Sequence, residues 1–269
     1  MFRCLALSLL WLSCGCAVVR SGREPLAEMK SSSVVRGQLI LHPDFELPRE
    51  HPLLAELLAL QGEIAAQLAI PTTEEPIHVY LYESAEAYHV QAAPYFHSGD
   101  TRRAFFLERE SRLNVYAQWG DSAAIDLRHE LTHGYLHASV RNLPLWLDEG
   151  LAEYFEVAPN LRGVNQPHLA LLAEQAQNGS WSPDLVRLES LASAGDMTQL
   201  DYAEAWLWTH WLLTATPRHL EALQSTVKQL RLSGGGEPLS KRIEKLSSWP
   251  HRSVLEHLRQ ELGEMTNRE

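Results

Sequence analysis

Cysteine is almost absent from this sequence of 269 residues. Its three cysteines, Cys4, Cys14 and Cys16, all lie near the amino terminus, and the residues from position 17 onward contain none. A disulfide framework and a metal site with cysteine ligands are therefore excluded for the folded body. The chain is nevertheless long enough to bury a hydrophobic core without such cross-links.

Clusters of positive charge are also missing. The 23 lysines and arginines are outnumbered by 34 acidic residues, which gives a formal net charge of −11, and the basic residues are scattered singly or in pairs. We therefore expect no nucleic-acid partner, because a phosphate backbone is bound by clustered Lys and Arg. The content of 45% hydrophobic and 21% charged residues is that of a globular protein and excludes a disordered or fibrous one.

The amino terminus predicts a targeting signal. An apolar run of sixteen residues, 4–19, follows Arg3. It is shorter than the roughly 20 residues of a membrane-spanning helix, and its small residues at the end are typical of a secretory signal. Residues 12–16 resemble a bacterial lipobox, with Gly15 before Cys16, although Ser13 stands where that pattern prefers Leu.

The lipobox resemblance implies that residues 1–16 form a signal peptide and that Cys16 carries a lipid. The protein would then cross the inner membrane and remain anchored to the cell envelope on the periplasmic side. Plain secretion is the first alternative, and a buried apolar strand is the second. Residues 17–36 lack apolar periodicity and predict a linker.

Strand patterns precede helix patterns, which predicts an α+β fold. Apolar residues at helical spacing predict a helix within 51–70, ending before a proline. Alternating residues predict strands at 77–82, 104–107 and 113–118, and the polar stretch between the last two indicates a hairpin. The strand at 113–118 could present an edge that pairs with an extended peptide. From residue 122 onward the pattern is helical.

The sequence His129-Glu130-Leu131-Thr132-His133 is the HExxH pattern. Its two histidines are four residues apart, so they lie on one face of a predicted helix and can reach one zinc ion. Glu130 can accept a proton from a water that the metal activates. His137 continues the stripe but lies about 12 Å along the axis from His129. We therefore expect His137 to be a rim or packing residue.

A third ligand is expected from the next predicted helix, which begins near Pro144. Glu149 and Glu153 lie four residues apart on one of its faces. Two acids at this spacing usually form a solvated face. Here, however, a short loop folds this helix back onto the HExxH helix, which makes both carboxylates candidates.

HExxH followed by Trp146-Leu147-Asp148-Glu149-Gly150 resembles the gluzincin metallopeptidases, and more closely the bacterial peptidase MA-like group. The resemblance covers residues 113–155. It implies that Glu149 is the third zinc ligand and that Glu153 orients a ligand histidine. The implied fold is zincin-like, with a small mixed sheet packed on the active-site helix in residues 37–156 and a mainly helical lobe in residues 157–269.

The expected function is zinc-dependent hydrolysis of a peptide or protein substrate, with one Zn²⁺ per chain and Glu130 as the base. Related enzymes place a Tyr or His from a later helix at the oxyanion, which makes Tyr202 and His210 candidates. These two residues could equally belong to the core and rim of a buried helix. The alternative function is a non-catalytic zinc-binding envelope lipoprotein that acts as an assembly or binding module.

Overall fold

The computed structural model describes residues 33–96 and 101–266. The predicted signal peptide, the lipid attachment at Cys16 and most of the predicted linker lie outside the described residues. The end of that linker is structured, because Val34–Arg36 forms the first strand. Within the described ranges, no helix combines the length and the hydropathy needed to cross a membrane.

The described chain is α+β, and all its strands precede residue 119. The strands are β1 (Val34–Arg36), β2 (Leu39–Pro43), β3 (Ile77–Tyr82), β4 (Ala104–Arg109) and β5 (Arg112–Gln118). The helices are α1 (Pro52–Leu68), α2 (Ala85–Ala92), α3 (Ala123–Ser139), α4 (Leu145–Phe155), α5 (Gln166–Gln177), α6 (Leu185–Glu189), α7 (Gln199–Thr214), α8 (Pro217–Ser233), α9 (Leu239–Leu246) and α10 (Pro250–Thr266). The helical elements predicted around the HExxH and Trp-Leu-Asp-Glu-Gly patterns are α3 and α4.

The strands form one mixed sheet in the order β1-β2-β3-β5-β4. Strands β2, β3 and β5 are parallel, whereas β1 and β4 pair antiparallel at the two edges. The predicted hairpin is confirmed, and its turn residues Glu110 and Ser111 have positive φ values of 51° and 64°. The prediction that 113–118 is an edge strand is wrong, because β5 lies between β3 and β4. The edge strand on this side of the sheet is β4, next to β5.

The two faces of the sheet are covered differently. Alternate residues of β3, such as Ile77, Val79 and Leu81, are buried in the main core with α1 and α3. The opposite face carries aromatic rings, and α2 covers part of it through Tyr88. The side chain of Ser84 caps α2 by accepting a hydrogen bond from the Ala87 N–H, as its sequence predicts.

Helix α7 is the centre of the helical half. Helices α4, α5, α8 and α10 pack against it, and its residues from 201 to 213 are buried. Thr198 and Asp201 form a capping box at its start. The indole N–H of Trp206 donates to the carbonyl oxygen of Gly163 at 2.8 Å, which fixes the segment after α4 to α7.

Candidate metal centre

Helix α3 is anchored by one face and carries the HExxH histidines on another. Leu127, Leu131 and Tyr135 are buried against the sheet and α1, as their spacing predicts. The hydroxyl of Tyr135 donates to the carbonyl oxygen of Leu57 at 2.9 Å. The helix begins after Ser122, although this side chain makes no capping hydrogen bond. This anchoring fixes the direction in which His129 and His133 project.

Helix α4 approaches α7 so closely that only glycine fits at the contact. A Cβ added to Gly150 would lie 2.5 Å from the carbonyl oxygen of Ala205 and would press on Oγ1 of Thr209. The adjacent residue, Glu149, projects toward α3 because successive helical residues are rotated by about 100°. The close packing on α7 therefore sets the position of Glu149 relative to the histidines.

Three side chains from α3 and α4 converge. Oε2 of Glu149 lies 3.8 Å from Nε2 of His129 and 3.7 Å from Nε2 of His133. The three side chains are at most 1% exposed. Bonds from zinc to nitrogen or oxygen are about 2.0–2.2 Å long, so atoms at these separations can share one ion after small shifts.

Two of the converging atoms have no hydrogen-bond partner. They are Nε2 of His133 and Oε2 of Glu149. Buried polar atoms are nearly always hydrogen-bonded, so a pair left without partners and aimed at one point needs an explanation. A metal ion bound between them would satisfy both atoms. The residues present therefore fit a divalent ion such as zinc.

His133 is supported from behind by the residue before Glu149. Its Nδ1 lies 3.0 Å from Oδ1 of Asp148. Burial lowers the pKa of His133, but the charge of Asp148, its hydrogen bond and the charge of Glu149 together outweigh burial and raise this pKa. Oδ2 of Asp148 lies 2.9 Å from Nε2 of His137, and Nδ1 of His137 lies 3.0 Å from Oε2 of Glu108 on β4. His137 is thus a rim residue, as predicted, and it also holds Asp148.

His129 is supported by a different acid from the one that the sequence indicates. Its Nδ1 lies 2.9 Å from Oε2 of Glu156, whereas the carboxylate of Glu153 accepts from Nε2 of His168 at 2.7 Å. Asn165 joins the two acids by donating to both. Burial and the charge of Glu153 raise the pKa of Glu156 to about 7. Glu153 belongs to the network around His129 without making its closest contact.

The remaining predicted residues lie on two helices, Glu130 on α3 and both Tyr202 and His210 on α7. Glu130 follows His129 in α3 and is fully buried. Tyr202 is buried in α7. His210 belongs to a separate group with His257 and Glu261, rather than to the group of the three candidate ligands. The roles of Tyr202 and His210 at an oxyanion stay predictions.

The accessible side of the centre is near β4. Side-chain exposure increases from 1% at His133 to 10% at Asp148, 18% at His137 and 45% at Glu108. A cavity of about 670 Å³ lies elsewhere, among residues of α1, α3, the end of α4 and the segment after it, including Arg128 and Tyr154. The three candidate ligands do not line this cavity, so it does not lead to the candidate centre.

In comparisons with known proteins, no family model and no curated protein matches this chain. The geometry adds three residues to those that sequence reasoning selected, namely Asp148, Glu156 and Glu108. Asp148 was marked only by its place before Glu149. Glu156 continues the spacing of Glu149 and Glu153 on one helix face, and this signal could have found it. Glu108 carries no such signal, because its contact depends on where β4 lies.

Proposed function

We propose that this protein is a zinc-dependent peptidase of the gluzincin type, similar to the peptidase MA-like group. One zinc ion would be held by His129, His133 and Glu149. The proposal depends above all on the two buried atoms without partners, Nε2 of His133 and Oε2 of Glu149, beside Nε2 of His129. A small mixed sheet packed on α3 and followed by helices supports a zincin-like fold.

The chain supplies ligands, their supports and a base. When bound, zinc polarises the scissile carbonyl group and lowers the pKa of a water molecule. Glu130 accepts a proton from the attacking water and passes it to the leaving amine nitrogen. Water adds to the carbonyl carbon, the C–N bond breaks, and the products are a carboxylic acid and an amine. Asp148 and Glu156 hold the ligand imidazoles in one orientation.

The edge strand β4 is suited to hold an extended peptide beside the metal. Its Phe106 ring stacks on His133 with 6.1 Å between centroids. The N–H of Gln118 on β5 donates to the carbonyl oxygen of Arg103. In an antiparallel pair the backbone groups alternate in direction, so those of Ala104 and Phe106 point to the open edge. A substrate paired there would lie next to the centre.

The location of this activity follows from the amino terminus. The lipobox-like residues that end at Cys16 support an envelope lipoprotein that faces the periplasm. Its substrate would then be an envelope peptide or protein. A change of Cys16 to Ser should release the protein from the membrane fraction if this cysteine carries the anchor.

The decisive experiment replaces Glu130 with Gln, which keeps the size of the side chain but cannot accept the proton. We expect zinc content and folding to be retained, while peptide hydrolysis in a broad peptide or casein screen falls by about 10²–10⁴-fold. Glu63→Gln, on the exposed side of α1, is the matched control and should cleave like the wild type. Equal rates for Glu130→Gln and wild type, both with zinc bound, would refute the mechanism.

A second candidate is a non-catalytic zinc-binding envelope module. The observation that favours it is the burial of the centre, where His129 and Glu130 have 0% exposure. If the wild type retains zinc and cleaves nothing in the same screen, this function is supported instead. The buried carboxylate of Glu130 favours the peptidase, because a scaffold needs no base next to a ligand.

A further inference from the structure

A second group of metal-binding side chains lies between α7 and α10. Nδ1 of His210 is 2.8 Å from Nε2 of His257, and this Nε2 is 3.9 Å from Oε1 of Glu261. One ligand atom from each of the three residues lies within 4.8 Å of the other two. The separation of 3.9 Å is similar to those of 3.7 and 3.8 Å around Glu149.

The two rings are buried and neutral. His210 is 2% exposed and His257 is 7% exposed. Burial lowers the pKa of His210 to about 3, and His257 lowers it further. Burial also lowers the pKa of His257 to about 4, although the charge of Glu264 opposes this fall. A neutral imidazole has the nitrogen lone pair that a metal ion requires, so no proton must be lost before an ion binds.

The group is also positioned by rigid elements. His257 and Glu261 are four residues apart on α10, so they face the same side, as His129 and His133 do on α3. His210 projects from the buried helix α7, and Oγ1 of Thr214, one turn later, lies 3.4 Å from its Nδ1. Two helices thus present three potential ligand atoms within 4.8 Å of one another.

We propose that His210, His257 and Glu261 bind a second divalent transition-metal ion, of the class that includes zinc, which fastens α10 to α7. Two imidazoles and a carboxylate suit this class of ion. Without the ion, the two rings are close enough to hydrogen-bond to each other. An ion bound between the rings would take the place of the hydrogen in this bond. The ring that had donated it would then carry its proton on its other nitrogen. Because the two imidazoles are buried and the three ligands join two helices, the site is structural.

The test is a count of zinc in the purified full-length protein after dialysis against micromolar zinc. We expect about two ions in the wild type, about one in His129→Ala/His133→Ala, about one in His257→Gln and none in the combined variant. His251→Gln, exposed on α10, is the control and should keep both ions. If wild type and His257→Gln hold equal zinc, the second site is refuted.

The same count separates this site from the centre at Glu149. If the centre at Glu149 bound no zinc, the zinc content of His129→Ala/His133→Ala would equal that of the wild type, while that of His257→Gln would be lower. Glu261→Gln keeps both rings and therefore guards against misfolding of His257→Gln. In the His129→Ala/His133→Ala background, zinc should raise the thermal midpoint, since a ligand that binds only the folded state stabilises it. Glu261→Gln should abolish this rise, and a rise that persists would overturn the proposal.

Discussion

Nδ1 of His133 lies 3.0 Å from Oδ1 of Asp148, the residue immediately before Glu149. Three consecutive residues of α4 therefore have three different partners. Asp148 supports His133, Glu149 completes the candidate ligand set, and Gly150 gives the close contact with α7. Each residue is rotated by about 100° from the one before it. One turn of α4 therefore carries a candidate ligand, the support of a second ligand and the packing contact with α7 on three different sides.

The first prediction tests whether His137 acts on the centre through Asp148. Asp148→Asn should weaken zinc binding by about 10–100-fold, because it removes the charged partner of a ligand imidazole. His137→Gln should weaken binding less, since it only loosens Asp148. In the Asp148→Asn background, His137→Gln should have almost no further effect on zinc affinity, because His137 acts on the centre only through Asp148. Competition with a chromophoric chelator measures all four affinities, and additive effects would contradict this path.

The second prediction distinguishes Glu156 from Glu153. Glu156 makes the 2.9 Å contact with Nδ1 of His129, whereas Glu153 accepts from His168. Glu156→Gln should therefore weaken zinc binding by about 10–100-fold, and Glu153→Gln should weaken it less. The same chelator competition applies, with the thermal midpoint of the metal-free proteins as the control for folding. A larger loss of zinc affinity in Glu153→Gln would return the orienting role to that residue.

Local patterns were sufficient for much of the fold and for the candidate ligands. The strand 77–82 was predicted from alternation and the hairpin from the polar stretch between the last two strands, and both are confirmed. HExxH spacing selected His129 and His133, and the short connection to α4 made Glu149 and Glu153 candidates. The choice of Glu149 came from the resemblance to the gluzincins. In these cases the relevant neighbours are close in the sequence or one helical turn apart.

Long-range pairing could not be predicted in the same way. The pattern of β5 is that of any half-buried strand, and its interior place depends on β3, far away in the sequence. Glu156 reaches His129 because α4, with Glu156 still helical at its C-cap, packs against α3. His210 lies against His257 because α10 packs on α7. Periodicity within one segment contains no information about such contacts.

The third prediction concerns Gly150. Gly150→Ala should lower the free energy of unfolding by about 1–3 kcal/mol, because the added Cβ overlaps the Ala205 carbonyl oxygen and forces α4 away from α7. Gly62→Ala in α1 is the matched control, since its Cβ would meet nothing within 4 Å. This control should stabilise the protein by about 0.5–1 kcal/mol. Urea unfolding of the metal-free proteins measures both values, and equal effects would refute the close contact.

The last prediction concerns the pH dependence of stability. Two neighbouring groups disfavour the protonated form of His42: Nδ1 of His78 is 3.0 Å from its Nε2, and Arg112 lies beside His78. The ring of Tyr80 stacks on His42. The hydroxyl of Ser33 also lies 2.9 Å from Nδ1 of His42. Burial, His78 and Arg112 lower the pKa of His42 from 6.5 to about 4.

Between these two pH values the unfolded chain binds more protons at this position than the folded chain does. The contribution of His42 is therefore fully present above pH 6.5 and is lost as the pH falls toward 4. His42→Gln has no such titration, so its free energy of unfolding should fall less steeply over this range than that of the wild type. Urea unfolding of the metal-free proteins at several pH values measures the two slopes, and His89→Gln, exposed on α2, is the control. Equal slopes in His42→Gln and wild type would show that His42 is protonated as easily in the folded chain as in the unfolded one.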